Sequence, residues 1–109
     1  MALDAEKLRS LLGLALRARK LGVGRAACRQ AVRDRRLHLL LVARDAGASA
    51  VRDAAGGNEV TCVHVDLDKQ QLGGLVGRTA VAILGILDPH LASGLLQLVR
   101  AAEGSRPTS

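Results

Sequence analysis

The stretch Leu37-His38-Leu39-Leu40-Leu41-Val42-Ala43 decides the fold. Six of its seven residues are apolar, and they show neither helical nor alternating spacing. A run this short and this continuous reads as a strand covered on both faces. Two later segments read the same way. Val60–Val65 (VTCVHV) is β-branched, and Thr79–Leu87 (TAVAILGIL) is apolar almost throughout. Asp45 is placed to cap a helix that ends at Gly56–Gly57, and Asp68 to begin a short helix stopped by Gly77. Asp88 and Pro89 form an N-cap and first-position pair for a last helix carrying Leu91, Leu95, Leu96, Leu98 and Val99. From Leu37 onward the chain therefore alternates strand and helix three times. That pattern predicts an α/β domain with right-handed crossovers and helices on both faces of its sheet.

Upstream of Leu37 the pattern is helical. Asp4 suits an N-cap, with Leu3 and Leu8 placed as a hydrophobic staple. Leu8, Leu11, Leu12, Ala15 and Ala18 then recur at helical spacing over residues 5–19. Gly22 and Gly24 break that helix. A second follows over 25–35, with Ala27, Cys28, Ala31 and Val32 as its apolar stripe. Length and pattern predict one domain over 1–102 and a polar, disordered tail over 103–109 (EGSRPTS).

Composition narrows function. The chain has no Phe, Tyr or Trp. Base stacking on aromatic rings is thereby excluded, and with it the usual single-strand-binding sheets and barrels. Cys28 and Cys62 fit no zinc spacing and suit buried packing. No signal peptide and no membrane-length apolar run is visible, so the expectation is a reduced, cytoplasmic protein without membrane contact.

Charge is the strongest functional signal. Between Arg17 and Arg36 stand eight basic residues and one acid, against eight basic and nine acidic in the rest of the chain. A field so localised points to a polyanion, with nucleic acid first. Arg25, Arg29, Arg33 and Arg36 are spaced to form one ridge opposite the apolar stripe. Such like charges destabilise a helix by ~0.2–0.5 kcal/mol per pair. Arg25 also sits at the positive end of the helix, a placement that makes sense if an anion binds there. Gly22-Val23-Gly24-Arg25 is a helix entrance of the kind that binds phosphates.

Four blocks then carry a family likeness: LLGLALRARKLGVG (Leu11–Gly24), LLLVARDA (Leu39–Ala46), LGGLVGR (Leu72–Arg78) and AILGILDPHLA (Ala82–Ala92). In this order and spacing, over residues 8–100, the chain resembles the kink-turn RNA-binding ribosomal protein superfamily. This is the group of ribosomal proteins L-seven-Ae and L-thirty-e, and the likeness is to its small bacterial branch. The resemblance implies a three-layer α/β/α sandwich with a four-stranded mixed sheet, the fourth strand lying near Leu21–Val23. It also implies RNA binding without catalysis. In the family a glycine and the following helix start enter a bent duplex, an Asn-Glu pair reads sheared G·A pairs, and a Lys one turn later assists. Gly24 matches the glycine, but Ala26 and Ala27 stand where Asn and Glu are expected, and Gln30 where Lys is. Gly85, Ile86 and Leu87 match the aliphatic loop that covers a flipped-out base. The framework and the charge are kept while the base-reading pair is absent, and phosphate contacts position where base contacts specify.

The expected RNA-binding set is thus Arg17, Lys20, Gly22, Gly24, Arg25, Arg29, Arg33, Arg44, Ile86 and Leu87, with no metal and no cofactor. The expected partner is structured RNA, such as ribosomal RNA or an mRNA element, with ribosome or ribonucleoprotein components alongside. Two alternatives stand beside this. Asp45, Asp66, Asp68 and Asp88 all follow strands and could hold Mg²⁺ for phosphoryl transfer, although N-capping explains three of the four. Or the chain is a protein-binding module that has lost RNA recognition. Cys62 and His64 share one strand face but lack a third ligand.

Overall fold

Asp4 opens the first helix, α1 (Ala5–Arg17), by accepting the Lys7 N–H at 3.1 Å, and Leu3 and Leu8 pack in the same core as the staple requires. The computed structural model describes residues 3–104. The remaining elements are β1 (Leu21–Val23), α2 (Arg25–Arg33), β2 (Leu39–Ala43), α3 (Ala48–Ala55), β3 (Cys62–Val65), α4 (Lys69–Leu75), β4 (Ile83–Ile86) and α5 (Pro89–Gly104). The backbone of α5 continues two residues into the expected tail, and 105–109 lie outside the described residues.

The strands form one mixed sheet in the order β1-β4-β2-β3. Only β2 and β3 are parallel; β4 runs antiparallel to both β1 and β2. The expectation of repeated right-handed crossovers therefore fails after β3. Val81 donates its N–H back to the Lys69 carbonyl, so the chain stays at the end of the sheet where β3 finishes. It re-enters there, with Ile83 opposite Val42.

The sheet has helices on both faces, and β2 shows why its sequence is apolar throughout. Leu39, Leu41 and Ala43 face a large core shared with α1, α4 and α5, while Leu40 and Val42 face a smaller one built with Cys28 and Ala54. The smaller side is tight because β4 has a glycine at its centre. A Cβ on Gly85 would stand 2.8 Å from Leu37 Cδ1 and 2.9 Å from Cys28 Sγ. With only hydrogen at that position, the Leu37 and Cys28 side chains lie directly against the strand.

Two helix ends are built alike. At the end of α1, Lys20 donates its N–H to the Ala15 carbonyl; at the end of α2, Arg36 donates to Ala31. The residue before each donor is left-handed: Arg19 at φ 58° and Arg35 at φ 55°. This is the helix-ending position where glycine is preferred. Glycine does fill it after α3, at Gly56 with φ 58°. Asp45, expected to cap α3, does not: Gly47 is the N-cap, and Asp45 instead accepts the Lys69 N–H at 2.9 Å across the chain. Asp45 lies two positions before that cap, so its carboxylate is free to serve the first turn of α4. Asp68 caps α4 as expected, in a full capping box with Gln71.

Candidate nucleic-acid interface

Gly24 is the hinge between β1 and α2. It is the N-cap of α2 at φ 91°, a backbone conformation that L side chains rarely adopt, and open space lies where a Cβ would point. Its N–H is held by the Ile83 carbonyl at 3.1 Å, which anchors the entrance to β4. No side chain caps the helix, and no acid stands in its first turn. The first N–H groups of a helix lack partners within it, so this end of α2 presents donors and a partial positive charge outward.

Facing the entrance is the segment between α4 and β4. Together they line a cleft of about 330 Å³ bounded by Val23, Gly24, Arg25, Arg78, Val81 and Ile83. Its size is at the lower end for small-ligand sites. Arg25 and Arg78 stand on its two sides, and its floor is aliphatic. The opposing segment is held by Gly73, where a Cβ would lie 2.8 Å from Ala80 Cα and 3.0 Å from the Arg78 carbonyl. The LGGLVGR block is thus close packing of a short helix against the loop that forms one cleft wall.

The basic residues do not form one continuous ridge. Arg29 Nη1 lies 2.8 Å from Asp53 Oδ1 of α3, and Arg25 Nε lies 4.0 Å from Oδ2 of the same carboxylate. Arg44 donates to the Asp66 carbonyl at 3.1 Å and pairs with Asp66 and Asp68. Arg29 and Arg44 are therefore engaged with carboxylates 24 and 22 residues away in sequence. Arg17, Lys20 and Arg33 are absent from the cleft. Lys20 immediately precedes β1, at the opposite end from Gly24, where its carbonyl accepts the Leu87 N–H at 2.8 Å. Arg33 ends α2 on that same side.

Three further expectations are corrected. Ile86 is a fully buried residue of β4, so it cannot cover an unstacked base. Leu87, which follows it, is half-buried at the Lys20 end of the sheet. The aliphatic segment near the entrance is instead Ala80–Ile83, one connection earlier. Gly22 is also buried, paired with Gly85 inside the sheet and overlain by Ala27, so its backbone is closed to a ligand. Ala27, counted with the apolar stripe, is exposed, as is Ala26; Cys28 and Ala31 are the buried residues of α2. Arg78 is the residue that sequence reasoning underweighted. Its signal was its place at the end of the LGGLVGR block.

The strand-end aspartates do not converge. Asp45 and Asp68 bond the first turn of α4, Asp66 pairs with Arg44, and Asp88 lies at the far end of the sheet because β4 is antiparallel. Among the described residues no three His, Cys, Asp or Glu side chains are grouped to hold a metal. Asp88 is held below the usual carboxylate range, first by the Leu91 N–H it accepts as the cap of α5. Burial pushes the Cys28 thiol up to about 12, where it stays protonated. Cys62 is raised in the same direction, also by burial.

Comparison with known proteins agrees with this architecture. Residues 6–95 match the profile of the Ribosomal protein L7Ae/L30e/S12e/Gadd45 family. A protein of unknown function from Bacillus halodurans C is 29% identical, with a TM-score of 0.72, over 84% of this chain and 95% of that one. The Giardia lamblia 15.5kD RNA binding protein has a TM-score of 0.66 at 18% identity, over 92% of this chain and 88% of that one. No curated protein matches.

Proposed function

The chain belongs to the Ribosomal protein L7Ae/L30e/S12e/Gadd45 family, and from that membership we propose that it is a noncatalytic protein of structured RNA. One observation carries the reading. The uncapped, acid-free start of α2 faces Arg78 across an aliphatic cleft, with Arg25 on the near side. Phosphates bind the helix start and the two guanidinium groups, which offer planar, multiply donating partners. The cleft takes one unstacked nucleotide against Val23, Ala80 and Ala82, the aliphatic lining residues that are not buried.

Ala26 and Ala27 are exposed at the second and third helical positions and present only methyl groups there. Gln30 is occupied by Asp34, at 3.1 Å. Recognition then rests on phosphate positions and shape, and a kink-turn is bound with little advantage over other bent or looped RNA. The partner class is ribosomal RNA or an mRNA element, within a ribonucleoprotein. Both cysteines are free thiols, in keeping with a reducing compartment, and we place the protein in the cytoplasm. No helix among the described residues is long and apolar enough to cross a membrane.

Filter binding with a kink-turn RNA and with a looped hairpin tests the reading. Arg25→Ala combined with Arg78→Ala is expected to lower affinity for both by at least tenfold at 0.1 M salt, on the order of two charge-assisted contacts. Unchanged affinity for both RNAs would overturn it.

A further inference from the structure

The two matching helix ends carry a second basic surface. Leu16-Arg17-Ala18-Arg19-Lys20-Leu21 and Val32-Arg33-Asp34-Arg35-Arg36-Leu37 share one pattern: apolar, Arg, any residue, Arg, basic, Leu. Each copy ends a helix with the same hydrogen bond, and each puts its second arginine in the left-handed conformation. The sheet brings the copies together. Leu21, which opens β1, and Leu39, which opens β2, flank Ile86 from either side. Two strand spacings separate them, ~10 Å. Arg17, Arg19, Lys20, Arg33, Arg35 and Arg36 thus share one end of the sheet. It is the end opposite Gly24 and Arg78.

Two facts set this end apart from an ordinary solvated surface. None of the six cations makes an ion pair among the described residues, whereas Arg25, Arg29 and Arg44 do. The carboxylates there are Asp34, which accepts from Gln30, Glu59, which lines a cleft with Arg35, and Asp88, which caps α5 and feels the Lys20 charge. Basic residues at helix C-termini do complement the dipole, and Arg17 and Arg33 already serve that end. Arg19 and Arg35 go further. They occupy positions where glycine is unstrained and an L residue is not. Conformational preference alone would put glycine at both, as it does after α3. What arginine adds is a charged side chain projecting beyond the helix end.

We propose that this twin-arginine end is a second RNA-binding surface, gripping the phosphate backbone of a segment other than the one in the cleft. The inference rests on the RNA reading above but assigns a separate site. A plain duplex fits it best, because guanidinium and ammonium groups without ion pairs among the described residues neutralise phosphates and read no bases. The protein then bridges two RNA segments, one at each end of its sheet.

Arg19→Gly combined with Arg35→Gly tests the surface without damaging the fold, since glycine suits both backbones. The probe is a 20-base-pair RNA duplex without loops, titrated across KCl concentrations. The variant is expected to keep or raise its melting temperature. Its slope of log affinity against log salt should become shallower by about 2, for two lost phosphate contacts. Wild-type protein held on an immobilised kink-turn RNA should capture the labelled duplex, and the twin-glycine variant should remain on the kink-turn RNA yet capture at least fivefold less. An unchanged duplex slope, or no duplex capture by the wild type, overturns the second surface. The cleft variant (Arg25→Ala with Arg78→Ala) is expected to lose the kink-turn RNA and keep the duplex. If it loses the duplex while the twin-glycine variant does not, the second surface fails and the cleft reading stands.

Discussion

Arg29 of α2 and Asp53 of α3 are joined at 2.8 Å across the seam between the two helices, and the same carboxylate reaches toward Arg25. Asp53 thereby holds down part of the positive field at the helix entrance. Both partners of the shorter pair are well exposed, with side chains 42% and 40% accessible, so its contribution to stability is small, about 0.2–1 kcal/mol. Asp53→Asn is expected to leave the melting temperature nearly unchanged while raising RNA affinity severalfold at low salt. A binding titration at 50 mM and 200 mM salt checks this, and the gain should shrink at the higher concentration.

Gly73→Ala couples stability to binding. The added methyl group meets backbone atoms of Ala80 and Arg78 at 2.8–3.0 Å, where no flexible side chain can give way. Overpacking of this kind costs about 1–3 kcal/mol. Chemical denaturation should show that loss. RNA affinity should fall as well, because the displaced segment is the cleft wall carrying Arg78. Gly74→Ala is the control, since nothing lies near its Cβ position.

Ala26→Asn with Ala27→Glu, together with Gln30→Lys, restores the polar groups that this helix start lacks. Both alanines are exposed, and Ala27 touches only the backbone region of Gly22 beneath it, so the fold should tolerate the change. Affinity for a kink-turn should rise relative to a plain duplex, and competition between the two RNAs measures the ratio. A ratio that stays constant would show that the entrance geometry does not place these side chains against base edges.

Cys28 makes stability depend on pH in the alkaline range. Its thiol is raised from 9.0 to about 12 in the folded protein, so the unfolded chain gives up that proton first. The stabilisation is complete below pH 9 and is lost as pH rises from there towards 12. In that window unfolding free energy should fall by up to about 1.4 kcal/mol per pH unit from this group. Cys28→Ala should flatten the slope. Iodoacetamide should label the partly exposed Cys62 first, and Cys28 only as the protein unfolds.

Much of the framework was legible in local chemistry. Asp4 with Leu3 and Leu8, the LHLLLVA strand, Asp68 and Gly56 each act within a few residues of themselves, and each is where its spacing put it. Strand direction was not local. Nothing in Thr79–Leu87 distinguishes a parallel strand from an antiparallel one; the difference lies in where the chain returns after α4, with Val81 bonded back to Lys69. The short β1 carries no periodicity of its own and came only from the family likeness. The site was less legible for a similar reason. Arg29 and Arg44 look like free cations until Asp53 and Asp66 arrive from more than twenty residues away. Ile86 reads as an aliphatic loop only when β4 is not yet placed around it.

Gly85 never faces the cleft, yet it belongs to the same frame. It lies beneath α2, where an added methyl group would meet Leu37 Cδ1 and Cys28 Sγ, the outer ends of two side chains that would have to turn aside. Gly24, at the start of that helix, is tethered to Ile83, two positions before Gly85 on β4. One strand thus locates both the start of α2 and its seat on the sheet, so the entrance takes its position from the rigid layer rather than from the loops around it.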